Sequence, residues 1–208
     1  MANILQHETV IILDFGSQYT QLIARRVREA GVYCEILPFD SSLDDIKTRT
    51  PKGLILSGGP SSVYDKDSPK PQPKLLQSVD CPVLGICYGL HVFAGELGGA
   101  VEASPSREFG YARLKVLDGE SRLFKGLPQE MDVWMSHGDR VTAVPPGFRV
   151  TAITDDALNA MEDETRQIFA VQFHPEVAHT PLGAQVIRNF LFAVCGCRGD
   201  WSPEAVIE

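Results

Sequence analysis

An apolar run at residues 82–84 leads directly into Gly-Ile-Cys-Tyr-Gly at residues 85–89, and a helix-like segment follows at residues 90–97. This order predicts a β-strand, a tight turn and an α-helix, with Cys87 at the turn. Glycines on both sides allow the strained backbone of such a turn, and a helix N-terminus favours a thiolate. The pattern fits either a nucleophile elbow that presents Cys87 or a buried structural cysteine in a strand-to-helix turn.

A second motif lies far downstream, where an apolar run of strand type ends at His174. Glu176 follows two residues later, and residues two apart in an extended chain point to the same side. Taken singly, His174 could be a satisfied histidine at a strand end and Glu176 a solvated loop carboxylate. Taken with Cys87, the two residues predict a Cys–His–acid nucleophile system, in which Glu176 orients the imidazole of His174.

The first half of the chain alternates between strand-like and helix-like segments. They are strand 10–14, helix 18–30 ended by Gly31, strand 32–37, helix 41–47 capped by Ser41 or Ser42, strand 53–57, and a short helix that reaches Ser78 before the strand leading to Cys87. Such alternation predicts an α/β fold with an open, mainly parallel central sheet and helices on both faces. Ligands bind beyond the carboxyl ends of such strands, where Gly58, Gly59 and Cys87 fall.

The second half of the chain changes character. Strand-like runs separated by glycine, proline and aspartate turns occupy residues 111–117, 131–135, 149–153, 158–162 and 167–173. They predict an antiparallel β extension of the sheet, and a final helix at residues 182–194 closes the domain. We therefore expect one domain at residues 1–197 and, at residues 198–208, a linker toward a further domain.

The Ser-Gly-Gly-Pro-Ser-Ser segment at residues 57–62 superficially resembles a phosphate-binding loop. Pro60 lacks the backbone N–H that a phosphate cradle could use, which disfavours phosphate binding. An oxyanion hole suits the segment better, because Gly59 would offer one backbone N–H and Tyr88, the residue after Cys87, would offer the second. A plain tight turn after a strand is the alternative.

The 208 residues carry a net charge of −8, with 44% apolar and 22% charged residues. This composition is typical of one globular domain with a sizeable core. The acidic balance argues against a nucleic acid or an anionic membrane as the main partner. No apolar run approaches the roughly 18 residues of a membrane span, and residues 1–7 lack the layout of a signal peptide.

Five cysteines are scattered along the chain, at positions 34, 81, 87, 195 and 197. An odd, scattered set favours free thiols in a reducing, cytoplasmic compartment over a disulfide framework. Cys195 and Cys197 enclose a glycine, but no second pair of cysteines or histidines stands at ligand spacing. No metal site is therefore predicted.

Several segments together resemble the class I glutamine amidotransferases, whose glutaminase domain releases ammonia from glutamine. The Cys87 turn and the His-Pro-Glu at residues 174–176 are shared across that family. Other segments resemble its GMP synthase branch, namely Asp-Phe-Gly-Ser-Gln-Tyr at 14–19, Arg-Glu-Phe-Gly at 107–110, Ser-His-Gly-Asp at 136–139 and His-Pro-Glu-Val-x-His-Thr at 174–180. The resemblance covers almost the whole chain.

The resemblance implies a flavodoxin-like fold and hydrolysis of glutamine to glutamate and ammonia through a γ-glutamyl thioester on Cys87. It also implies substrate contacts at Gly58, Pro60, Ser61, His91, Ser136, His137, Gly138 and Asp139. The ammonia would pass to an ATP-pyrophosphatase (synthetase) domain that aminates XMP to GMP. No cofactor or metal is expected in the glutaminase domain, and ATP and Mg are expected only in the synthetase domain.

One position departs from the family pattern. Four residues after the nucleophile the family usually has Gln, whereas this chain has His91. On the following helix His91 would face the same way as Cys87, one turn above it. A single imidazole nitrogen lacks the paired donor and acceptor of an amide, and the ring could titrate near neutral pH. We therefore expect weaker glutamine binding, unless His91 simply fills space.

Two other functions stay open at this point. A stand-alone cysteine hydrolase acting on γ-glutamyl amides or peptides would use the same three residues without a partner. A weakly active or non-catalytic regulatory module would carry a degraded site, whereas Cys87, His174 and Glu176 are all retained. Activity in the absence of any partner separates the first alternative from an amidotransferase.

Overall fold

One continuous sheet of nine strands organises the chain. The computed structural model describes residues 7–155 and 157–202, without the side chains of residues 105–107. The strands are β1 (Thr9–Asp14), β2 (Tyr33–Pro38), β3 (Gly53–Leu56), β4 (Val83–Ile86), β5 (Ala100–Val116), β6 (Glu130–Ala143), β7 (Arg149–Thr154), β8 (Ala157–Asp163) and β9 (Ile168–Val171). They lie in the order β2-β1-β3-β4-β9-β8-β7-β5-β6.

Helices cover both faces of the sheet, as predicted. They are α1 (Thr20–Glu29), α2 (Leu43–Thr48), α3 (Leu75–Ser78), α4 (Tyr88–Glu96) and α5 (Gly183–Asn189), with a 3₁₀ turn at Arg122–Phe124 and a π-helical turn at Phe190–Val194. α1 and α5 pack in one apolar core, and α2, α3 and α4 pack in the other. Within the described ranges, no helix is both long and apolar enough to cross a bilayer.

Strands β2, β1, β3, β4 and β9 form a parallel half of the sheet. Apart from the edge strand β2, its strands are apolar and buried on both faces, because alternate side chains enter opposite cores. In β1, Val10 and Ile12 join the core that holds α1, whereas Ile11 and Leu13 join the core that holds α2. This half confirms the predicted α/β architecture with a parallel sheet.

Strands β8, β7, β5 and β6 form an antiparallel half, which β8 joins to β9 in the same sheet. The predicted antiparallel extension is therefore confirmed. β5 and β6 are longer than predicted, since β5 begins at Ala100 and β6 continues to Ala143. About half of their added residues are polar, so the sequence carries no strand pattern there. Pairing of the two strands with each other extends them, with a register shift between Ala103 and Glu108.

Several element ends differ from the predicted ones by a few residues. α1 begins at Thr20 rather than residue 18, and Ser42, not Ser41, caps α2 by accepting a hydrogen bond from Asp45 N at 3.1 Å. The predicted helix 182–194 is divided, since α5 ends at Asn189 and a π-helical turn continues the chain. These shifts leave the order of elements unchanged.

Candidate active site

Cys87 occupies the turn between β4 and α4, where the sequence predicts an elbow. Its backbone has φ 52° and ψ −101°, a conformation that costs a non-glycine residue about 1–3 kcal/mol. Two backbone hydrogen bonds hold the turn: Cys87 N donates to Val171 O at 2.8 Å, and Leu90 N donates to Cys87 O at 3.0 Å. The cysteine is buried, with 3% of its surface exposed, in the wall of a cavity.

The glycines that flank Cys87 permit close packing. Neither Gly85 nor Gly89 has a positive φ, so the strained dihedral angles belong to Cys87 itself. A Cβ on Gly85 would lie 2.7 Å from the carbonyl carbon of Gly89, and a Cβ on Gly89 would lie 2.7 Å from Leu56 O. Only glycine therefore allows β3, β4 and α4 to approach each other closely enough to support the turn from beneath.

His174 and Glu176 lie in the segment after β9. The predicted strand end at His174 is three residues too late, because β9 ends at Val171 and His174 N instead donates to Trp134 O on β6 at 3.0 Å. The two side chains nevertheless meet, with His174 Nδ1 2.7 Å from Glu176 Oε1. Both are buried, at 4% and 0% exposed. The imidazole is thus oriented by a carboxylate, as the sequence predicts.

Two side chains that received no role from the sequence hold this segment in place. The Thr180 hydroxyl donates to His174 O at 2.6 Å and accepts from Trp134 N at 3.0 Å. On the other side, Arg26 Nε of α1 donates to Glu176 O at 3.1 Å. The His174–Glu176 segment is therefore fastened both to β6 and to α1.

The electrostatics of the pair favour a charged imidazole. Burial by itself lowers the pKa of His174, but the Glu176 carboxylate, together with hydrogen bonds to Cys87 and Glu176, raises that pKa well above its ordinary value. Glu176 occupies Nδ1 of the ring, which leaves Nε2 for exchange with the thiol of Cys87, a group that also raises the pKa of His174. This arrangement suits proton exchange between sulfur and nitrogen.

The glycine turn after β3 approaches the same two residues. Ser57 Oγ accepts from Phe15 N at 3.0 Å and donates to Gly58 O at 2.8 Å, which fixes the path of the turn. A Cβ on Gly58 would lie 3.1 Å from His174 Cε1. A Cβ on Gly59 would lie 2.7 Å from Phe15 O. The absence of side chains lets this backbone pass directly beside Cys87 and His174.

A cavity of about 730 Å³ opens over these elements. Among the residues predicted for the site, its lining includes Gly59, Pro60, Ser61, Cys87, Tyr88, His91, Ser136, His137, Gly138, Asp139 and His174. Gly58 and Glu176 do not line it, because both are buried behind the surface that His174 presents. The structure thus gathers residues from four distant segments around one cavity.

His91 lies in the cavity wall, but its ring makes a hydrogen bond to another side chain of the protein. Its Nε2 is 2.8 Å from Gln172 Oε1, and the residue is 3% exposed. Burial lowers the pKa of His91 to about 4. The expectation that the ring titrates near neutral pH is therefore wrong, because burial disfavours the charged form.

The opposite wall of the cavity comes from β6, at residues 136–139. His137 Nδ1 donates to Asp139 O at 2.8 Å, and His137 Nε2 lies 3.3 Å from Glu108 Oε2 on β5. Burial lowers the pKa of His137, although the Glu108 carboxylate opposes this shift. The wall is thus polar while its imidazole favours the neutral form.

Gln172 is the residue of the site that sequence reasoning passed over. It is 1% exposed, and its Nε2 lies 3.7 Å from Cys87 Sγ. An amide within an otherwise apolar strand-like run was the available signal. Tyr19 was also given no role, although its ring packs edge-on against the His174 ring at a centroid distance of 5.2 Å.

All five cysteines are free. Burial raises the pKa of Cys34, Cys81 and Cys197 to about 11, and raises that of Cys195 well above its ordinary value. These four thiols are therefore poor nucleophiles at neutral pH. Across residues 7–155 and 157–202, no group of three or more histidine, cysteine or acidic residues could hold a metal ion.

Comparison with known families agrees with this geometry. The family model described as "Glutamine amidotransferase class-I" matches residues 11–194, and the chain belongs to that family. A curated relative from Elusimicrobium minutum, "GMP synthase [glutamine-hydrolyzing]", is 51% identical over 199 residues, which cover 95% of this chain and 39% of the relative. A relative of the same description from Hahella chejuensis is 51% identical over 215 residues, covering 99% of this chain and 40% of the relative.

Two solved structures share the fold. A protein from Thermoplasma acidophilum, provisionally assigned as one subunit of a GMP synthase, is 31% identical, with a TM-score of 0.75 over 91% of this chain and 94% of its own. A glutamine amidotransferase from Thermotoga maritima is 16% identical, with a TM-score of 0.72 over 91% of this chain and 98% of its own. The chain spans about two fifths of the length of the curated relatives.

Proposed function

We propose that the chain hydrolyses glutamine to glutamate and ammonia with Cys87, His174 and Glu176 as a catalytic triad, and that the ammonia serves the ATP-dependent amination of XMP to GMP. One observation carries the proposal: a cysteine on a strained turn and a carboxylate-oriented imidazole line one cavity in a class I glutamine amidotransferase. Relatives named as glutamine-hydrolysing GMP synthases support the choice of acceptor.

The first half of the reaction makes a thioester. His174 takes the proton of Cys87, and the sulfur attacks the side-chain amide carbon of glutamine, so a C–S bond forms and the carbonyl oxygen becomes an oxyanion. The raised pKa of His174 favours the imidazolium that this step produces. The imidazolium then gives its proton to the departing nitrogen, the C–N bond breaks, and ammonia leaves a γ-glutamyl thioester on Cys87.

The second half returns the enzyme to its starting state. His174 accepts a proton from water, whose oxygen attacks the thioester carbon, and collapse of the tetrahedral intermediate breaks the C–S bond. Glutamate leaves, and the proton that His174 took from water remains shared between His174 and the sulfur of Cys87, as at the start of the reaction. The sum is glutamine plus water giving glutamate plus ammonia.

We assign the oxyanion hole to the backbone N–H groups of Gly59 and Tyr88. Both residues line the cavity, and Tyr88 is the first residue of α4, whose N-terminal N–H groups are unpaired within the helix. The absence of a side chain at Gly58 brings the backbone of this turn close to His174. One such donor is typically worth about 3–4 kcal/mol in the transition state.

We assign binding of the amino-acid end of glutamine to the two polar walls of the cavity. One wall comes from residues 59–61, with Gly58 buried behind it, and the other comes from residues 136–139. His91 of α4 lines the cavity with them. Backbone groups of these segments would hold the α-amino and α-carboxylate groups. His91 would add one hydrogen-bonding nitrogen where the family usually has an amide.

The acceptor chemistry would belong to a partner, an ATP-pyrophosphatase (synthetase) domain that holds ATP and Mg. We place the glutaminase domain at residues 1–197 and a linker at residues 198–208, of which residues 203–208 lie outside the described part. Trp201 N donates to Gly31 O at 2.9 Å, so the described part of this segment packs against the domain. Five free cysteines favour the reducing cytoplasm as its compartment.

The test is release of glutamate by the chain alone and together with a synthetase portion, XMP and ATP–Mg. We expect slow hydrolysis alone and faster hydrolysis in the complete mixture, because a conformational step would couple the two reactions. The full rate without any partner would favour a stand-alone hydrolase. A third outcome is no hydrolysis in either mixture, together with a Cys87 that mass mapping shows is not modified by a glutamine-mimicking alkylator. That outcome would favour a regulatory module without catalytic activity.

A further inference from the structure

Gln172 lies beside Cys87 because of the register of two parallel strands. Ile86, the last residue of β4, pairs with Val171, the last residue of β9. Cys87 and Gln172 are the residues that directly follow these two strands. The backbone confirms the alignment, since Cys87 N donates to Val171 O at 2.8 Å. Both residues therefore lie side by side at the carboxyl ends of these neighbouring strands.

The contacts of the Gln172 amide determine which way it faces. Its Oε1 lies 2.8 Å from His91 Nε2, and its Nε2 lies 3.7 Å from Cys87 Sγ. A carbonyl oxygen accepts, so His91 Nε2 must carry the proton that it donates to Gln172. The NH₂ group of Gln172 is thereby turned toward the sulfur.

The sulfur has one contact that only the thiol can make. Cys87 Sγ lies 3.8 Å from Ser136 O, an acceptor that takes a hydrogen bond from S–H. Once the proton has left, that contact no longer stabilises the sulfur. Donors to a thiolate must then come from elsewhere, and hydrogen bonds to charged groups are stronger than neutral ones.

Proceeding from the proposed function, we propose that Gln172 is a catalytic hydrogen-bond donor to the thiolate of Cys87, and that His91 positions it by donating to its carbonyl oxygen. The three residues form a chain from His91 through Gln172 to the sulfur, all 3% exposed or less. Bulk water does not readily replace the donor at that depth. The imidazolium of His174 stabilises the thiolate from another direction.

The environment of the thiol is otherwise constant, which allows a pH-dependent test. The titratable groups around it are His174 and Glu176 after β9, His91 on α4, His137 and Asp139 on β6, and Glu108 on β5. His91 is the one of these groups that bonds to Gln172, and replacing Gln172 removes a hydrogen bond that raises the pKa of His91. That pKa is already about 4, so His91 stays neutral from pH 5 to 9 in both proteins. Methionine matches glutamine in length and carries no N–H, so Gln172→Met removes the donor with little change in volume.

The experiment measures alkylation of Cys87 by iodoacetamide from pH 5 to 9, without glutamine, in the parent chain and the Gln172→Met variant. We expect alkylation about tenfold slower at pH 7 and a profile midpoint about one pH unit higher, the value of one hydrogen bond to a charged group. The matched control is Gln185→Met, at an exposed glutamine of α5 whose amide bonds only to Asn189. Its profile should coincide with that of the parent.

A second variant guards against a folding defect. His91→Phe keeps a ring of similar size but removes the N–H that holds Gln172, and we expect a smaller shift in the same direction. Glutamine turnover should show lower kcat with KM within about twofold in Gln172→Met. Unchanged alkylation profiles in both variants would overturn the proposal, as would a higher KM with an unchanged profile.

The assay also separates this proposal from the proposed function. Alkylation reports on the thiol whether or not glutamine is a substrate. A parent chain without glutaminase activity, but with a profile that shifts in Gln172→Met, would refute the proposed function and support the role of Gln172. Full glutaminase activity of the parent chain, with the same alkylation profile in Gln172→Met, would support the proposed function and refute the role of Gln172.

Discussion

The two halves of the sheet differ in what they contribute to the cavity. The parallel half ends in the segments that carry the groups proposed to react, since Cys87 follows β4 and His174 follows β9. The antiparallel half contributes a wall, at residues 136–139 of β6, and the carbonyl and N–H of Trp134 that hold the His174 segment.

Burial explains this division. Strands β4 and β9 are buried along their whole length, so their ends can hold strained or charged groups at fixed distances. In β6, buried and exposed residues alternate, so one face is left for solvent or a ligand. The groups that we propose to react thus follow strands of the parallel half, while the antiparallel half supplies a wall that can shape specificity. Four substitutions test that division, in order of decreasing expected effect.

Replacing Cys87 with alanine should abolish glutamine hydrolysis, by at least about four orders of magnitude, because no other group can form the thioester. The variant should unfold at the same temperature within a few degrees, since alanine fits the space of the thiol. Glutamate release and thermal unfolding are the measurements. Cys81→Ala, which removes a thiol of raised pKa, is the control and should keep full activity. Turnover by the Cys87→Ala protein would contradict the mechanism.

Glu176→Gln should lower kcat/KM about 10²- to 10⁴-fold, because a neutral amide cannot stabilise the imidazolium of His174 as the carboxylate does. Loss of the carboxylate should also lower the raised pKa of His174. That raised pKa contributes stability below pH about 6.5 that is lost as pH rises through the folded-state value. Unfolding measured from pH 6 to 9 should therefore depend less on pH in the variant.

The control for Glu176→Gln is Glu120→Gln, at an exposed carboxylate of the antiparallel half. It should leave both kcat/KM and the pH dependence of stability unchanged. Equal losses in the two variants would show that net charge, rather than orientation of His174, is responsible.

Thr180→Val tests the connection between the two halves. It removes the hydroxyl that joins His174 O to Trp134 N, and we expect a loss of about 1–3 kcal/mol in unfolding free energy. Because His174 is then less well held, kcat should fall about three- to tenfold. Denaturant unfolding and steady-state kinetics measure the two effects.

A buried threonine of β7 offers the matched control for Thr180→Val. Thr151 is 1% exposed, and its hydroxyl has no hydrogen-bond partner within the described residues. Thr151→Val should therefore be neutral or stabilising and should leave kcat unchanged. A similar loss in both variants would refute the idea that Thr180 joins the halves.

His91→Gln should have the smallest effect on catalysis, a KM for glutamine lower by up to about tenfold, because an amide offers both a donor and an acceptor. Glutamine at this position keeps an N–H for Gln172. Because the pKa of His91 is about 4, KM of the parent should show no His91 titration from pH 6 to 9. Coincident KM values for the two proteins would show that His91 does not contact the substrate.

The same variant has a consequence for acid stability. The pKa of His91 is depressed on folding, so the unfolded chain binds the proton first and stability falls as pH drops from about 6.5 to 4. A shift of this size is worth about 3 kcal/mol. The parent should lose that much more stability than His91→Gln over this interval, as measured by denaturant unfolding. Parallel losses would show that the folded chain binds a proton at His91 as readily as the unfolded chain does, so that burial does not lower this pKa.

Much of the parallel half could be predicted because its signals are local. An apolar run, a Gly-x-Cys-x-Gly turn and a helix predict the place of Cys87 without any distant residue. The ends of β5 and β6 could not be predicted, because their polar residues become strand only through pairing with each other. The end of β9 was placed too late for the same reason, since Trp134 of β6 takes the hydrogen bond of His174.

The sequence by itself determined the order of elements, the turn that carries Cys87 and the pairing of His174 with Glu176, because each depends on neighbouring residues along the chain. Only the tertiary structure decided how deeply His91 is buried and which group Gln172 faces. Both depend on packing between α4 and the strand register of β4 and β9. Burial sets the pKa of an imidazole, and register sets the distance between an amide and a sulfur, and neither quantity is local in sequence.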